Sequence, residues 1–341
     1  APVTRGATSI IREIIDVSQN RPRFQAVDIT APVPTLITGT VGHITASASE
    51  NMMAVTEGNS GDRLYLYTWF TNGGERIQAA WQWWEFNSFT IVRHAEFIDN
   101  NLYLFLERKS DASTTFMTVE KVNIEAFIRE PSAVGATPLV HLDRKVTSYT
   151  NGAAEPAKFA TPIYNGVTDA TTITLPYTKA FQHTYVLVST DGEILPQTSA
   201  TPTTIVTPGN RTADDLIVGE SYDMVHTLSK PTLRDRDNVP VATGTLRLRM
   251  ANLLYADSSW FQVRVADTFG QVDHTSTWSS QSISGGAVIG TLGQQSGRYR
   301  FGAMGRADDL TVQIRSNAPW PCRFVSMDWE TSYIQRGGTR L

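Results

Sequence analysis

An alternation with period two recurs along almost the whole of this chain, and it constrains the fold more than any other feature. From Arg63 to Phe70, one side carries Leu64, Leu66, Thr68 and Phe70, and the other carries Arg63, Tyr65, Tyr67 and Trp69. Successive side chains of a β-strand point to opposite faces, so this spacing predicts a strand, and bulk on both sides predicts one covered on both faces. The Gly-bearing turn Thr71–Glu75 leads into Ile77–Phe86, and together they read as a β-hairpin. In that second strand Ile77, Ala79, Trp81 and Trp83 share one face, while Gln78, Ala80, Gln82, Trp84 and Phe86 share the other. Four of the eight tryptophans lie between Trp69 and Trp84. Trp81 and Trp83 are expected to be buried between sheets rather than to form an exposed stacking platform for sugar rings or bases.

The same plan occurs twice. "ENMMAVTE" (Glu50–Glu57) followed by "DRLYLYTWF" has a counterpart in "NNLYLFLE" (Asn100–Glu107) followed by "TTFMTVEKV". Asn51 and Asn101 are offset by 50 residues, and Tyr65 and Phe116 by 51. A period of about 50 residues built from short strands is that of a β-propeller blade, whose sheets stack face to face. Two repeats do not close a ring, so the remaining blades are expected from a segment outside this sequence or from another chain.

Between Glu130 and Ala160 the alternation stops, and "EPSAVGATP" and "TNGAAEPAKFATP" read as linker. The expected division is a propeller-like region with an incomplete set of blades over 1–135, a linker over 136–160 and a second antiparallel β domain over 161–341. In the last part Asp191-Gly192 marks a hairpin turn. "GTLRLRM", "WFQVRV", "GRYRFG" and "DLTVQIR" then alternate with one apolar and one polar face, as in an antiparallel sandwich or barrel. Leu246, Leu248 and Met250, for example, oppose Arg247 and Arg249. "GGAVIGTLG" (Gly285–Gly293) reads as a hairpin or flexible loop. No long helix is expected. Even Ser9–Val17, with its β-branched isoleucine pairs, favours strand. The fold class is therefore mainly β: partial propeller-like blades, then a sandwich-like or barrel-like domain.

Little here suggests catalysis. The single cysteine, Cys322, rules out an intramolecular disulfide and a cysteine-rich zinc site, fits synthesis in a reducing compartment, and is expected to be a buried thiol. His43, His94, His141, His183, His226 and His274 are scattered, with no pair three or four residues apart, and each is expected to be structural or superficial. The adjacent pairs Asp214-Asp215 and Asp308-Asp309 would point to opposite faces of a strand and so do not make an acid/base couple. No catalytic, cofactor or metal residue is assigned. No apolar run approaches the roughly 18 residues of a membrane span, and a net charge of -4 predicts no general affinity for nucleic acid or membrane.

The charge is uneven. Residues 241–341 hold ten Arg, no Lys and seven acidic residues, a balance of +3, which leaves -7 for the first 240. Arginine without lysine suits paired geometry better than mere solubility. Arg247, Arg249 and Arg264, on the polar sides of their strands, are the candidates for contacts with a neighbouring subunit.

"RFQAVDIT", "LITGTVGHITASASENMMAV", "LYLYTWFTNGGERIQAAWQWWEF", "LIVGESYDMVHTLSKP", "GTLRLRM" and the closing "PWPCRFVSMDWETSYIQRG" follow one another over nearly all of the chain. The ordered set resembles the C-terminal part of the tail tubular protein B, or nozzle, family of short-tailed bacteriophages. That resemblance implies a virion protein assembled in the bacterial cytoplasm: a homohexameric tube below the portal and adaptor ring. It also implies a propeller-like domain, docking of tail fibres and passage of DNA through the lumen without sequence readout. Family members carry a substantial segment before the match to "APVTRG", so a fragment, a processed form or half of a split nozzle is expected. The family is structural, so no catalytic residue carries over. The competing expectation is a carbohydrate-active propeller that binds or hydrolyses host surface glycans, with exposed Trp faces and two carboxylates in a cleft.

Overall fold

Among the described residues the alternating segments form twenty-five β-strands in antiparallel sheets, with no helix. A computed structural model describes residues 2–5, 8–16, 24–58, 61–72, 75–124, 139–148, 159–190, 192–234, 241, 244–280 and 293–335. By contact clustering the chain falls into two units, Ala1–Ala126 with Tyr177–His183, and Phe127–Pro176 with Thr184–Leu341.

The first unit is built from up-and-down meanders. β1 (Pro2–Arg5), β2 (Thr8–Asp16) and β3 (Phe24–Asp28) make the first, and β2 is the strand that its isoleucine pairs favour. β4 (Val41–Ser47), β5 (Met52–Glu57), β6 (Arg63–Asn72) and β7 (Glu75–Glu85) make a four-stranded sheet in chain order. β8 (Thr90–Ile98), β9 (Asn101–Lys109) and β10 (Thr115–Asn123) make the third. The repeat is now visible in three dimensions, because β4-β5-β6 and β8-β9-β10 are the same meander. Asn51 and Asp99, with φ of 51° and 53°, turn the first hairpin of each. Both residue types tolerate the left-handed region.

The four-stranded sheet is covered on both faces. On one, Ala54, Leu64 and Leu66 pack with Val92, Ala95, Leu102, Leu104 and Leu106 of the third meander. On the other, Val55, Tyr65 and Tyr67 pack with Ile11, Ile29 and Ile37. Stacked meanders of this kind are how propeller blades bury both faces.

The tryptophans divide differently from expectation. Trp84 packs in the first of these cores, and Trp81 in the second. The Trp81 ring lies 4.9 Å from that of Tyr67, and its Nε1 donates to the Ile29 carbonyl at 2.9 Å. Trp83, however, is 50% exposed and Ile77 62%. The reason is position: β7 is the edge strand, and the residues that cover Tyr65 and Tyr67 reach Trp81 but not Trp83. Alternation identifies a face; it does not say how far the neighbouring layer extends over it.

The second unit begins with eight short strands: β11 (Asp143–Thr147), β12 (Ile163–Asn165), β13 (Ala170–Thr174), β14 (Tyr185–Ser189), β15 (Ile194–Leu195), β16 (Ser199–Thr201), β17 (Thr204–Pro208) and β18 (Leu216–Glu220). They form two four-stranded sheets, ordered β11-β18-β14-β15 and β12-β13-β17-β16. β11 lies inside the 136–160 stretch; apart from 139–148 and 159–160, that stretch falls outside the described residues. Gly192, with φ of 94°, closes the β14–β15 hairpin as its sequence suggests.

The rest is a two-sheet sandwich. β19 (Met224–Thr227), β20 (Gly244–Ser258), β21 (Trp260–Asp267), β22 (Asp273–Ser279), β23 (Gln295–Arg306), β24 (Leu310–Ser316) and β25 (Arg323–Gln335) form sheets ordered β19-β24-β21-β22 and β23-β20-β25. Leu248, Ala251, Leu253, Tyr255, Phe301 and Ala303 of one sheet pack against Phe261, Val263, Val265, Val312 and Ile314 of the other. The register slips between Leu248 and Met250 on both sides of β20, so Ala251 rather than Met250 continues the core face. An inserted residue reverses the alternation beyond it. "GGAVIGTLG", apart from Gly293, lies outside the described residues.

Residues 177–183 belong to the first unit although both flanking segments belong to the second. The Phe181 amide donates to the Lys109 carbonyl at 2.8 Å, and Asn87 Nδ2 donates to the Phe181 carbonyl at 3.2 Å. The Phe181 ring meets Phe89 edge-on at 5.2 Å between centroids.

Candidate functional site

The face of the β23-β20-β25 sheet that points away from the sandwich core carries the arginines that sequence singled out, with one exception. Arg247 and Arg249 flank buried Leu248, and both are exposed. They have no hydrogen bond or ion pair among the described residues. Arg298, Arg300 and Arg306 stand exposed along β23 beside them. Arg306 is directly across from Arg247, and its charge is offset by Asp308 at 3.7 Å and Asp309 at 3.5 Å. The acidic residues of this face sit on the opposite edge strand, β25, where Asp328 and Glu330 are exposed and Glu330 pairs with Arg300 at 2.8 Å. Exposed ion pairs of this type contribute little to stability, about 0–1 kcal/mol each, so they leave the face chemically available.

Arg264 is the exception. It lies on β21, in the other sheet, and its fork is closed on Asp273 of β22 through Nε–Oδ1 at 2.8 Å and Nη2–Oδ2 at 2.6 Å. This hydrogen-bonded pairing with Arg264 holds the Asp273 carboxyl below its ordinary pKa. The three candidate arginines therefore do not share one surface. Two are open, and the third is a cross-strand strut. Sequence shows which side of its strand each occupies but not which partner lies across the ladder.

Two buried ion pairs occupy interior positions instead. Arg108, with no exposed side chain, grips Glu120 through Nε at 3.0 Å and Nη2 at 2.9 Å from Oε1. In the second unit Arg144 Nη1 and the Tyr185 hydroxyl both donate to Glu220 Oε1, at 2.9 and 2.5 Å. Their partners on adjacent strands make both structural.

One cluster was missed by sequence. His43 on β4 and His94 on β8 bring their rings to 4.2 Å between centroids, tilted by 42°. Both Nε2 atoms approach Glu96 Oε2, at 3.0 Å from His43 and 3.5 Å from His94. The other carboxylate oxygen accepts a 2.7 Å bond from Thr45 Oγ1, which in turn accepts from the Phe97 amide at 3.2 Å. The Thr45 hydroxyl, and after it His43, holds the Glu96 carboxyl below its ordinary pKa. Helical spacing does not reveal these histidines, because adjacent sheets and not a helix face bring them together. The available signal was the repeat: His43 and His94 are 51 residues apart, as are Thr45 and Glu96.

An open depression is lined by Gly39, Thr40, Glu57, Asp62, Ser88 and Thr90, and no aromatic side chain joins them. Glu57 is engaged by the Tyr65 hydroxyl at 2.6 Å. Of the adjacent aspartates, Asp308 and Asp309 serve Arg306, and Asp214 pairs with Arg211 at 3.2 Å. Cys322 is half-buried, and that burial pushes its thiol pKa up, away from nucleophilic character.

Comparison with known proteins bears on the same question. The family described as bacteriophage nozzle protein matches residues 2–340. The tail tubular protein gp12 of Escherichia phage T7 is 25% identical over 323 residues, covering 91% of this chain and 38% of that protein's length. The chain thus spans less than half the length of this relative.

Proposed function

The chain belongs to the bacteriophage nozzle protein family, and on that premise we propose that it is a structural subunit of the tail of a short-tailed phage, forming part of an oligomeric conduit for DNA. The observation that carries this reading is the family match across residues 2–340, which leaves almost none of the chain for a separate activity. In this reading six copies close a ring below an adaptor, DNA passes through the lumen into the host, and tail fibres dock outside. The subunit acts mechanically, without catalysis.

The physical properties support such a role. Sheets covered on both faces and a sandwich with an aromatic core resist deformation under load. The weakly acidic balance of -4 suits a conduit wall, because a strongly basic one would hold DNA by counterion release and slow its transit. The open arginines, Arg247 and Arg249, are suited to carboxylates of a neighbouring copy or a fibre protein, and Arg264 is not, since its fork is already closed on Asp273. The glycan-directed alternative is not favoured, because no aromatic side chain lines the depression, and Glu57, one of its two carboxylates, is already engaged by the Tyr65 hydroxyl.

Native mass spectrometry tests this reading. A ring of six copies, alone or once the adaptor protein is added, is the expected result. A strictly monomeric chain under both conditions that also binds host polysaccharide would overturn it.

A further inference from the structure

We propose that His43, His94 and Glu96 form a binding site for a divalent transition metal ion, zinc by preference, which pins two successive meanders of the first unit together. The three side chains come from β4 and β8, edge strands of adjacent sheets. The repeat puts one imidazole at the same place in each meander, and period two then sets Glu96 on the same side of β8 as His94.

The geometry is that of a ligand set. The three donor atoms all lie within 4.8 Å of one another. A tetrahedral zinc ion with bonds of about 2.0–2.1 Å holds its donors about 3.3 Å apart. The two imidazole–carboxylate separations, 3.0 and 3.5 Å, bracket that value. An ordinary ion pair needs only one histidine; here two aim the same nitrogen at one oxygen, and two protonated rings so close would repel. A metal ion accepts both neutral nitrogens and the carboxylate together.

The surroundings agree. Thr45 fixes the carboxylate through its other oxygen, the kind of outer contact that orients metal ligands. Two imidazoles with one carboxylate favour zinc, nickel, copper or cobalt over magnesium or calcium. The side chains of His43, His94 and Glu96 are 36%, 41% and 40% exposed, which gives an ion a path in and leaves a fourth position for water.

Metal-stripped protein titrated with zinc by calorimetry, and with cobalt followed by visible absorption, tests the site. One ion per chain is expected, with the cobalt spectrum of a four-coordinate nitrogen and oxygen site. Zinc at a hundredfold excess over its dissociation constant should raise Tm by about 5 °C or more. His94→Gln and Glu96→Gln should each weaken binding at least tenfold, whereas His226→Gln should not. Circular dichroism without metal establishes that each variant is folded, and His43→Gln replaces any variant that is not. Absence of saturable binding below about 100 μM zinc, or equal binding by the variants and the parent, would overturn the proposal.

Discussion

Replacing Glu220 by Gln should be among the most damaging single-atom changes that can be made in the second unit. The Glu220 and Arg144 side chains are 2% and 6% exposed, so neither charge is solvated by water. Glu220 Oε1 receives Arg144 Nη1 at 2.9 Å and the Tyr185 hydroxyl at 2.5 Å, and Arg144 Nη1 also donates to that hydroxyl at 3.1 Å. The register explains the convergence: Glu220 of β18 lies opposite Asp143 of β11 on one side and Tyr185 of β14 on the other. The Gln side chain keeps the shape but removes the charge, so Arg144 loses a buried counter-ion at a cost of about 3–5 kcal/mol. Tyr185→Phe removes the hydroxyl that donates to Glu220 and accepts from Arg144 Nη1, which still has Glu220 as a partner, and should cost about 1.5–3 kcal/mol. Urea unfolding followed by circular dichroism reads the difference. With a slope of about 3 kcal/mol/M, Glu220→Gln lowers a midpoint by roughly 1 M or more, and Tyr185→Phe by about half of that. The double variant Arg144→Met/Glu220→Leu should recover part of the loss, since it removes both charges. A midpoint for Glu220→Gln within about 0.3 M of the parent, or a double variant worse than it, would refute the reasoning.

Trp81→Ala should cost about 3 kcal/mol and Trp83→Ala about 1 kcal/mol or less, and equal losses in thermal melts would contradict the one-sided cover of β7. Arg247→Gln/Arg249→Gln should weaken the oligomer in native mass measurements, most at low salt where ion pairs are least screened, and leave the fold intact. Arg264→Gln should leave assembly unchanged, and a reversal of the two phenotypes would reassign the contact surface. Burial raises the Cys322 pKa, so at pH 7.5 the thiol stays protonated and should alkylate with iodoacetamide at least about tenfold slower than free cysteine; a rate equal to that of glutathione would show that the site opens.

Alternation and repeat were legible because both follow from local geometry. Tyr65 and Tyr67 could be assigned to a buried face from their spacing alone, and the 50-residue offset located two equivalent meanders. What was not legible depended on partners distant in sequence. Trp83 shares a face with Trp81, yet its exposure is decided by where residues around Ile29 stop. The pattern of Leu246, Leu248 and Met250 predicts one unbroken face, but the slip after Leu248 brings in Ala251. Arg264 looks like Arg247 on paper, and only the β21–β22 register reveals Asp273 within its reach. The histidine cluster was half legible: the repeat aligns His43 with His94, but no spacing rule says that equivalent strands of adjacent sheets approach one another.

The strap at residues 177–183 has a consequence for how such a gene can be inherited. Asn87, Phe89 and Lys109 receive Phe181 from a stretch of chain whose neighbours on both sides belong to the other unit. A single genetic crossover between related genes anywhere from codon 127 to codon 176 would therefore take Phe89 from one parent and Phe181 from the other. Keeping both from one parent requires the crossover to fall beyond codon 183, or parents whose straps fit each other's sheets. Recombination between diverged relatives should accordingly leave few joints from codon 127 to codon 176.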